Sequence, residues 1–383
     1  MADVLSPNPN GFRQVPLRAP KPSTRPSADL AQTDTIYATG TLAPGTGRTR
    51  SIIAAADVFL ELLTAQQRDT VQFAFVQQPL ATAAHFPGGK HGTMVFTGEQ
   101  YGVATWSNFP VSDVPRPGLR LGDLEAGQEA AVMHLLQTLL SAKGYRKVLD
   151  IMGSDQALSE AGQPFACGRD AYTLAIIGPP GMDEPWMVQF GGHHLALNVI
   201  ISGEQGVLAP VLTGAQPAIY AAEGGTVRVL SAENDKAFAL IRSLDDDQRR
   251  QAVIGNRARD LELGPGTDGK AVAPVGLKAS FMTGGQRAML LDLASEWAGM
   301  VNDDYAAPRL AEIAAGVNDT FLSWSGPLIC EPGHNGASYF RIQGQKVFIE
   351  FAPQEVGGDL TMHVHTIYRD PTNDYGRTLL EQV

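Results

Sequence analysis

One order of elements runs twice along this chain, and that repetition constrains its fold more than any other feature. A helix, a connection, further helices and three short β segments fill residues 49–225, and the same order returns over 226–383. Ala56, Phe59 and Leu63 are answered by Ala237, Leu240 and Leu244, and Gln67-Arg68 by Gln248-Arg249. Gly118-Leu119-Arg120 and Gly127-Gln128 are answered by Gly276-Leu277-Lys278 and Gly285-Gln286. YTLAIIG, WMVQF and HHLALN then find counterparts in YFRIQG, VFIEF and HVHTIY, in the same order. One match would be chance. Four in sequence predict an internally duplicated α+β fold, each half pairing helices with a three-stranded antiparallel meander, joined as one compact domain over 49–383.

Local patterns fill in the elements. AAADVFLELL sets Val58, Leu62 and Leu63 on one side of a helix. GDLEAGQEAAVMHLLQTLLSAKGY reads as one helix closed by Gly144 in a C-cap position. Gly191-Gly192, between Phe190 and His193, reads as a two-residue hairpin turn, because glycine accepts positive φ without strain. Residues 1–48 hold seven prolines and no apolar periodicity, so they are expected to form an arm or disordered tail.

The repeat spacing shortens along the chain, so the first half carries extra residues between its first helices. They lie within FVQQPLATAAHFPGGKHGTMVFTGEQYGVATWSNFPVSDVPRP. An insertion in a frame that is already stable is free to carry function. This one is expected to bring Lys90, His91 and Trp106 to the border of a site.

Composition removes several classes. The chain has 383 residues, 44% of them hydrophobic, which is enough for a sizeable core. Its net charge of −11 and the lack of any Lys/Arg cluster argue against a nucleic-acid partner. No apolar run is long enough for a transmembrane helix, so no membrane partner is expected. The opening MADVLSPNPNGFRQ lacks the basic-then-apolar pattern of a secretory leader. With only two cysteines and no CxxC, a cytoplasmic location is expected, although a leader already removed would escape this reading.

The chemistry concentrates in histidines. His363 and His365 stand two apart in HVHTIYRD, so on a strand both side chains leave one face. His193 and His194 are adjacent, so only one can join them. If Gly191-Gly192 is the turn, Gln189 pairs with His194, and Gln189 corresponds to Glu350 in the second half. One face then collects His194, Gln189, Glu350, His363 and His365, with His193 facing away. Three imidazoles and a carboxylate suit a divalent transition metal, zinc or iron foremost. Glu350 would be fourth ligand or general base. Arg116, Lys90 and Arg369 would orient an anionic substrate, with His91, Trp106 and Gln189 lining its pocket; Arg369 alternatively forms a structural ion pair with Asp370 or Asp374.

WSNFP, RPGLRLGDL, GGHHLALN, LTGAQP and the closing HVHTIYRDPTNDYG, in this order, resemble a domain-of-unknown-function family, the one numbered thirty-five hundred. The resemblance covers about residue 50 to the end. It implies a shared fold and supports the four histidines as family positions, but brings no reaction. The leading expectation is therefore a metal-dependent hydrolase or lyase acting on a small polar or anionic organic molecule, with His194, Glu350 and Arg369 as its catalytic residues. A mononuclear non-haem iron or copper oxidoreductase would use the same ligands. A non-catalytic small-molecule-binding protein would use the histidines only to bond one another and the backbone. Neither ligand type nor composition sets the oligomeric state.

Overall fold

The computed structural model describes residues 47–88, 92–163, 165–166, 168–222 and 224–381. The expected arm lies outside the described residues except for Gly47 and Arg48, where the first helix begins. The fold is α+β and compact, built on one twelve-stranded mixed sheet.

Helix α1 spans Arg48–Glu61 and buries Ile52, Ala55, Ala56 and Phe59. These fall at helical spacing, and they turn Val58 and Leu62 outward, 52% and 49% exposed. The expected face was therefore rotated: of its three residues only Leu63 is buried. The stretch expected to form one long helix is two, α2 (Ala126–Leu139) and α3 (Ala142–Glu160). Ser141 breaks them by capping α3, its Oγ accepting the Gly144 N–H at 3.1 Å. Gly144 is thus in the first turn of a helix, not at the end of one. A Cβ there would come within 2.1 Å of the Met300 carbonyl oxygen, which explains the glycine by close approach.

The strands that place the site are, in chain order, β1 (Gln72–Phe73), β2 (Thr82–Gly88), β3 (Met94–Tyr101), β4 (Ala104–Trp106), β5 (Thr173–Ile177), β6 (Trp186–Gly192), β7 (Leu195–Ser202), β8 (Gln205–Ala215), β9 (Val253–Gly255), β10 (Phe321–Ser325), β11 (Tyr339–Gln343), β12 (Phe348–Pro353) and β13 (Val364–Arg369). Ten strands of the large sheet run β1-β5-β6-β7-β8-β13-β12-β11-β10-β9, and the two-residue strands Leu119–Arg120 and Leu277–Lys278 complete the twelve by pairing with β5 and β10. From either edge it reads alike: a short strand parallel to its neighbour, then four antiparallel strands. The two runs meet where β8 pairs antiparallel with β13. Each run therefore has four antiparallel strands, not three. Counted inward, Gln189 lies on the third strand of its run and Glu350 on the fourth, so the two do not occupy matching places.

Both faces of the sheet are covered, and its central strands are accordingly near-continuous apolar runs. One face packs Leu174, Ile176, Val188, Phe190, Phe340 and Ile342 with the helices in the main core. On the other, Ala175, Met187 and Ile200 meet Tyr101 and Tyr375. Ala196, Leu212 and Ile367 meet Trp106 on that same side. The small β2-β3-β4 sheet, which is the expected insertion, supplies this second cover. It brings loop Ser107–Phe109 over the end of β13.

Candidate metal centre

The turn between β6 and β7 sets the first ligand. Gly191 pairs with Ala196 and Gly192 with Leu195, so both glycines belong to the strand and His193-His194 form the turn. A Cβ on Gly191 would lie 2.4 Å from the Leu195 carbonyl oxygen, and one on Gly192 would strike the Tyr172 ring at 2.9 Å. Close packing requires these glycines. His194 instead takes the positive φ, 60°, a conformation costing a non-glycine residue about 1–2 kcal/mol. Such strain at a cluster of reactive side chains points to a local requirement there.

His363 and His365 come from β13 and the residue just before it, and both leave the same sheet face, as their spacing requires. The three Nε2 atoms converge. His194 Nε2 lies 3.1 Å from that of His363 and 3.2 Å from that of His365, and the last two are 3.1 Å apart. Tetrahedral ligand nitrogens with metal bonds of 2.0–2.1 Å are about 3.3 Å apart. A small outward adjustment fits the triangle to one ion.

Burial keeps these imidazoles neutral. Desolvation, reinforced by the neighbouring His193, His363 and His365, holds His194 well below the ordinary histidine range. Desolvation takes His363 down to about 4 against the pull of its bond to Val356, and lowers His365 strongly as well. His363 donates its Nδ1–H to the Val356 carbonyl at 2.8 Å. A carbonyl can only accept, so the tautomer is set and the Nε2 lone pair faces the centre. Bonding of this kind on the far ring nitrogen is how metal-binding histidines are held.

His193 does not face away. Its ring stacks on that of His194 with centroids 3.7 Å apart, because a turn does not alternate side chains as a strand does. Its Nδ1 is bonded to Asp155 Oδ1 at 2.7 Å, and its carbonyl accepts the Tyr172 hydroxyl, also at 2.7 Å.

The other expected residues are placed elsewhere. Glu350 shares the sheet face but lies two residues along β12 from Ala352, the partner of His365, about 7 Å away along the strand. Its carboxylate accepts the backbone N–H groups of Glu262 and Leu263 and the Tyr339 hydroxyl. It anchors a loop and is not a ligand. Gln189 donates to Asn198 Oδ1 at 2.9 Å, within the β6–β7 pair and apart from the cluster. Arg369 stands four residues beyond His365, about 13 Å along the strand. There it binds Glu99, Asp374 and two carbonyls. The Trp106 indole is buried and donates to the Tyr375 hydroxyl at 2.7 Å. Lys90 and His91 lie outside the described residues.

Arg116 is next to the cluster without being open to a substrate. Its guanidinium donates to the carbonyls of Val114, Ser107, Phe109 and Gly192. One side chain thus ties the insertion to the residue before the histidine turn. Asn108, between two of those carbonyls, has its amide 3.2 Å from His365 Nδ1. Sequence reasoning missed it. The WSNFP motif was the only signal, and nothing in its spacing pairs it with a histidine 257 positions away.

The set His194, His363 and His365 is the group of possible metal ligands found among the described residues. A family model described as "Protein of unknown function (DUF3500)" matches residues 89–377, more than half of the chain. The chain belongs to the DUF3500 family. All three cluster histidines and Asn108 lie within the span matched. No curated protein and no solved structure matches the chain. Among the described residues, no helix is long and apolar enough to cross a membrane.

Proposed function

We propose that this member of the DUF3500 family is a metal-dependent enzyme, of hydrolase or lyase type, acting on a small polar or anionic molecule. The observation that carries the reading is the triangle of neutral Nε2 atoms with sides of 3.1–3.2 Å. Three protein ligands are the number typical of catalytic rather than structural zinc sites, which leave one position open. When bound there, zinc would supply Lewis acidity and a water that ionises near neutral pH. The chain's own part is to hold three lone pairs on one point and keep bulk water out. His194 is only 2% exposed, and His363 and His365 are 7% and 6% exposed, so access is restricted to something small. Arg116 and Arg369 are spent on carbonyls and carboxylates, so an anion-orienting role does not pass to them. Copper or iron, with redox chemistry, is the second reading, favoured by an all-imidazole donor set.

The likeness of the two sheet runs supports a further part of this reading, that the domain arose by duplication. The match lies one strand out of step with that drawn from sequence, pairing β5 with β10 and β8 with β13. Under it the histidine turn corresponds to the turn between β11 and β12, which carries no histidine. The site would then be assembled from both halves, His194 from the first and His363 and His365 from the second, with no histidine at the equivalent turn.

A panel of esters, amides, lactones and phosphoesters, assayed with protein loaded with zinc, tests the activity. Turnover that chelation removes, that zinc restores and that His194→Ala lacks is the expected result. Turnover indifferent to all three would overturn the assignment.

A further inference from the structure

We infer that Asn108 is a positioning residue for this centre, setting the tautomer of His365 so that its Nε2 lone pair, not an N–H, faces the other two histidines. The inference rests on the metal reading but concerns a different residue and a different element, the insertion.

The argument is one of hydrogen counting. Nε2 of His363 is a bare acceptor because its proton is on Nδ1, bonded to Val356. For His365 to present a lone pair as well, its own proton must be on Nδ1, and that atom then needs an acceptor. The group in reach is the Asn108 carboxamide, whose Nδ2 stands 3.2 Å from His365 Nδ1 while its Oδ1 faces Ser107, so a proton on His365 Nδ1 requires the reverse orientation of this amide. A half-turn about the last side-chain bond exchanges the amide oxygen and nitrogen without changing shape, so the neighbours decide the orientation.

Ser107 decides it. Its hydroxyl is 2.7 Å from the Thr97 carbonyl, which can only accept, so its one proton goes there. It also accepts the Phe109 N–H at 3.2 Å. Toward the Asn108 side chain, 3.5 Å away, it therefore offers a lone pair. The NH2 end of Asn108 belongs on Ser107 and the oxygen on His365 Nδ1. Arg116 fixes this arrangement by gripping the carbonyls on both sides of Asn108 together with that of Gly192. The loop and the histidine turn are thereby held in one frame.

The test measures zinc affinity, by competition with a chromophoric chelator, and the visible spectrum of the Co(II)-substituted protein. Asn108→Leu, which has similar bulk and no acceptor, is expected to weaken zinc binding about 10–100-fold and to alter the Co(II) bands. Asn108→Asp, a stronger acceptor, is expected to bind at least as tightly as the native protein and to shift the bands. A merely structural asparagine would let both variants fall together, or neither. Zinc affinity and Co(II) bands unchanged in Asn108→Leu would overturn the inference. Should that variant fail to fold, Asn108→Asp decides alone: weaker binding, or unchanged affinity with unchanged bands, overturns it. A native protein that binds no metal would instead remove the reading beneath it, a distinguishable result.

Discussion

Two ends of one strand face make opposite use of buried polar groups. His363, His365, Ile367 and Arg369 alternate along β13 and project to the same side. At the far end, Arg369 spends all five N–H donors on Glu99, Asp374 and the carbonyls of Leu263 and Gly264. Glu99 in turn accepts the N–H groups of Gly266 and Thr267 and the Tyr375 hydroxyl. Every donor of Arg369 is taken. At the near end three imidazoles aim at each other, and neutral rings in that triangle cannot satisfy every nitrogen. A satisfied cluster holds the fold, whereas a convergent one could hold an ion.

The largest expected effect is at the satisfied end. Arg369→Met would leave Glu99 and Asp374 buried without their counter-charge, and about 3–5 kcal/mol of stability should be lost. The urea midpoint reads this, and zinc affinity of the folded fraction should be retained, since the site is about 13 Å away along the strand. Equal loss of metal would mean that the two ends are one unit, and the comparison would fail.

Acid sharpens the contrast at the other end. Burial holds His363 at about 4 against its ordinary 6.5, and lowers His194 and His365 as well. Between these values the unfolded chain binds protons that the folded cluster refuses. Stability of the metal-free protein is therefore fully present above about pH 6.5 and should fall as the pH drops toward 4. Urea midpoints across that window should slope less in His363→Ala. An equal slope would show the cluster to be more open than its burial implies.

The smallest effect concerns Gln189. Gln189→Leu strands one buried acceptor on Asn198, at a cost of about 1–2 kcal/mol, with zinc affinity unchanged. A loss of affinity would return Gln189 to the site.

Much of the near end was legible in the sequence and little of the far end. An HxH pair on a strand must share a face whatever the strand's neighbours, so His363 and His365 followed from spacing alone. His194 joined them for a different reason from the expected one: HHLALN looks like a strand throughout, yet its first two residues are the turn. Glu350 was drawn in because β6 and β12 were matched by residue type although they hold different places in the sheet, and segments rich in Val, Ile and Phe carry no mark of their order in a sheet. Arg116 and Arg369 were given substrate roles because a saturated arginine and one open to substrate are identical in sequence, although the ion pair expected between Arg369 and Asp374 is present. The two-helix break at Ser141 and the outward turn of Val58 were both written in local pattern, as a serine cap three residues before Gly144 and as apolar positions at Ile52, Ala55, Ala56 and Phe59, and were passed over for a competing apolar stripe.

The most direct measurement is metal content by elemental analysis, on protein purified without a histidine tag and on its His363→Ala variant. Close to one zinc, iron or copper per chain is expected in the native protein. In the variant the metal should be lost while the metal-free melting temperature barely moves, since His363 is at the edge of the apolar core. A native protein that takes up no metal even after incubation with zinc, or a variant that keeps its full complement, would contradict the account.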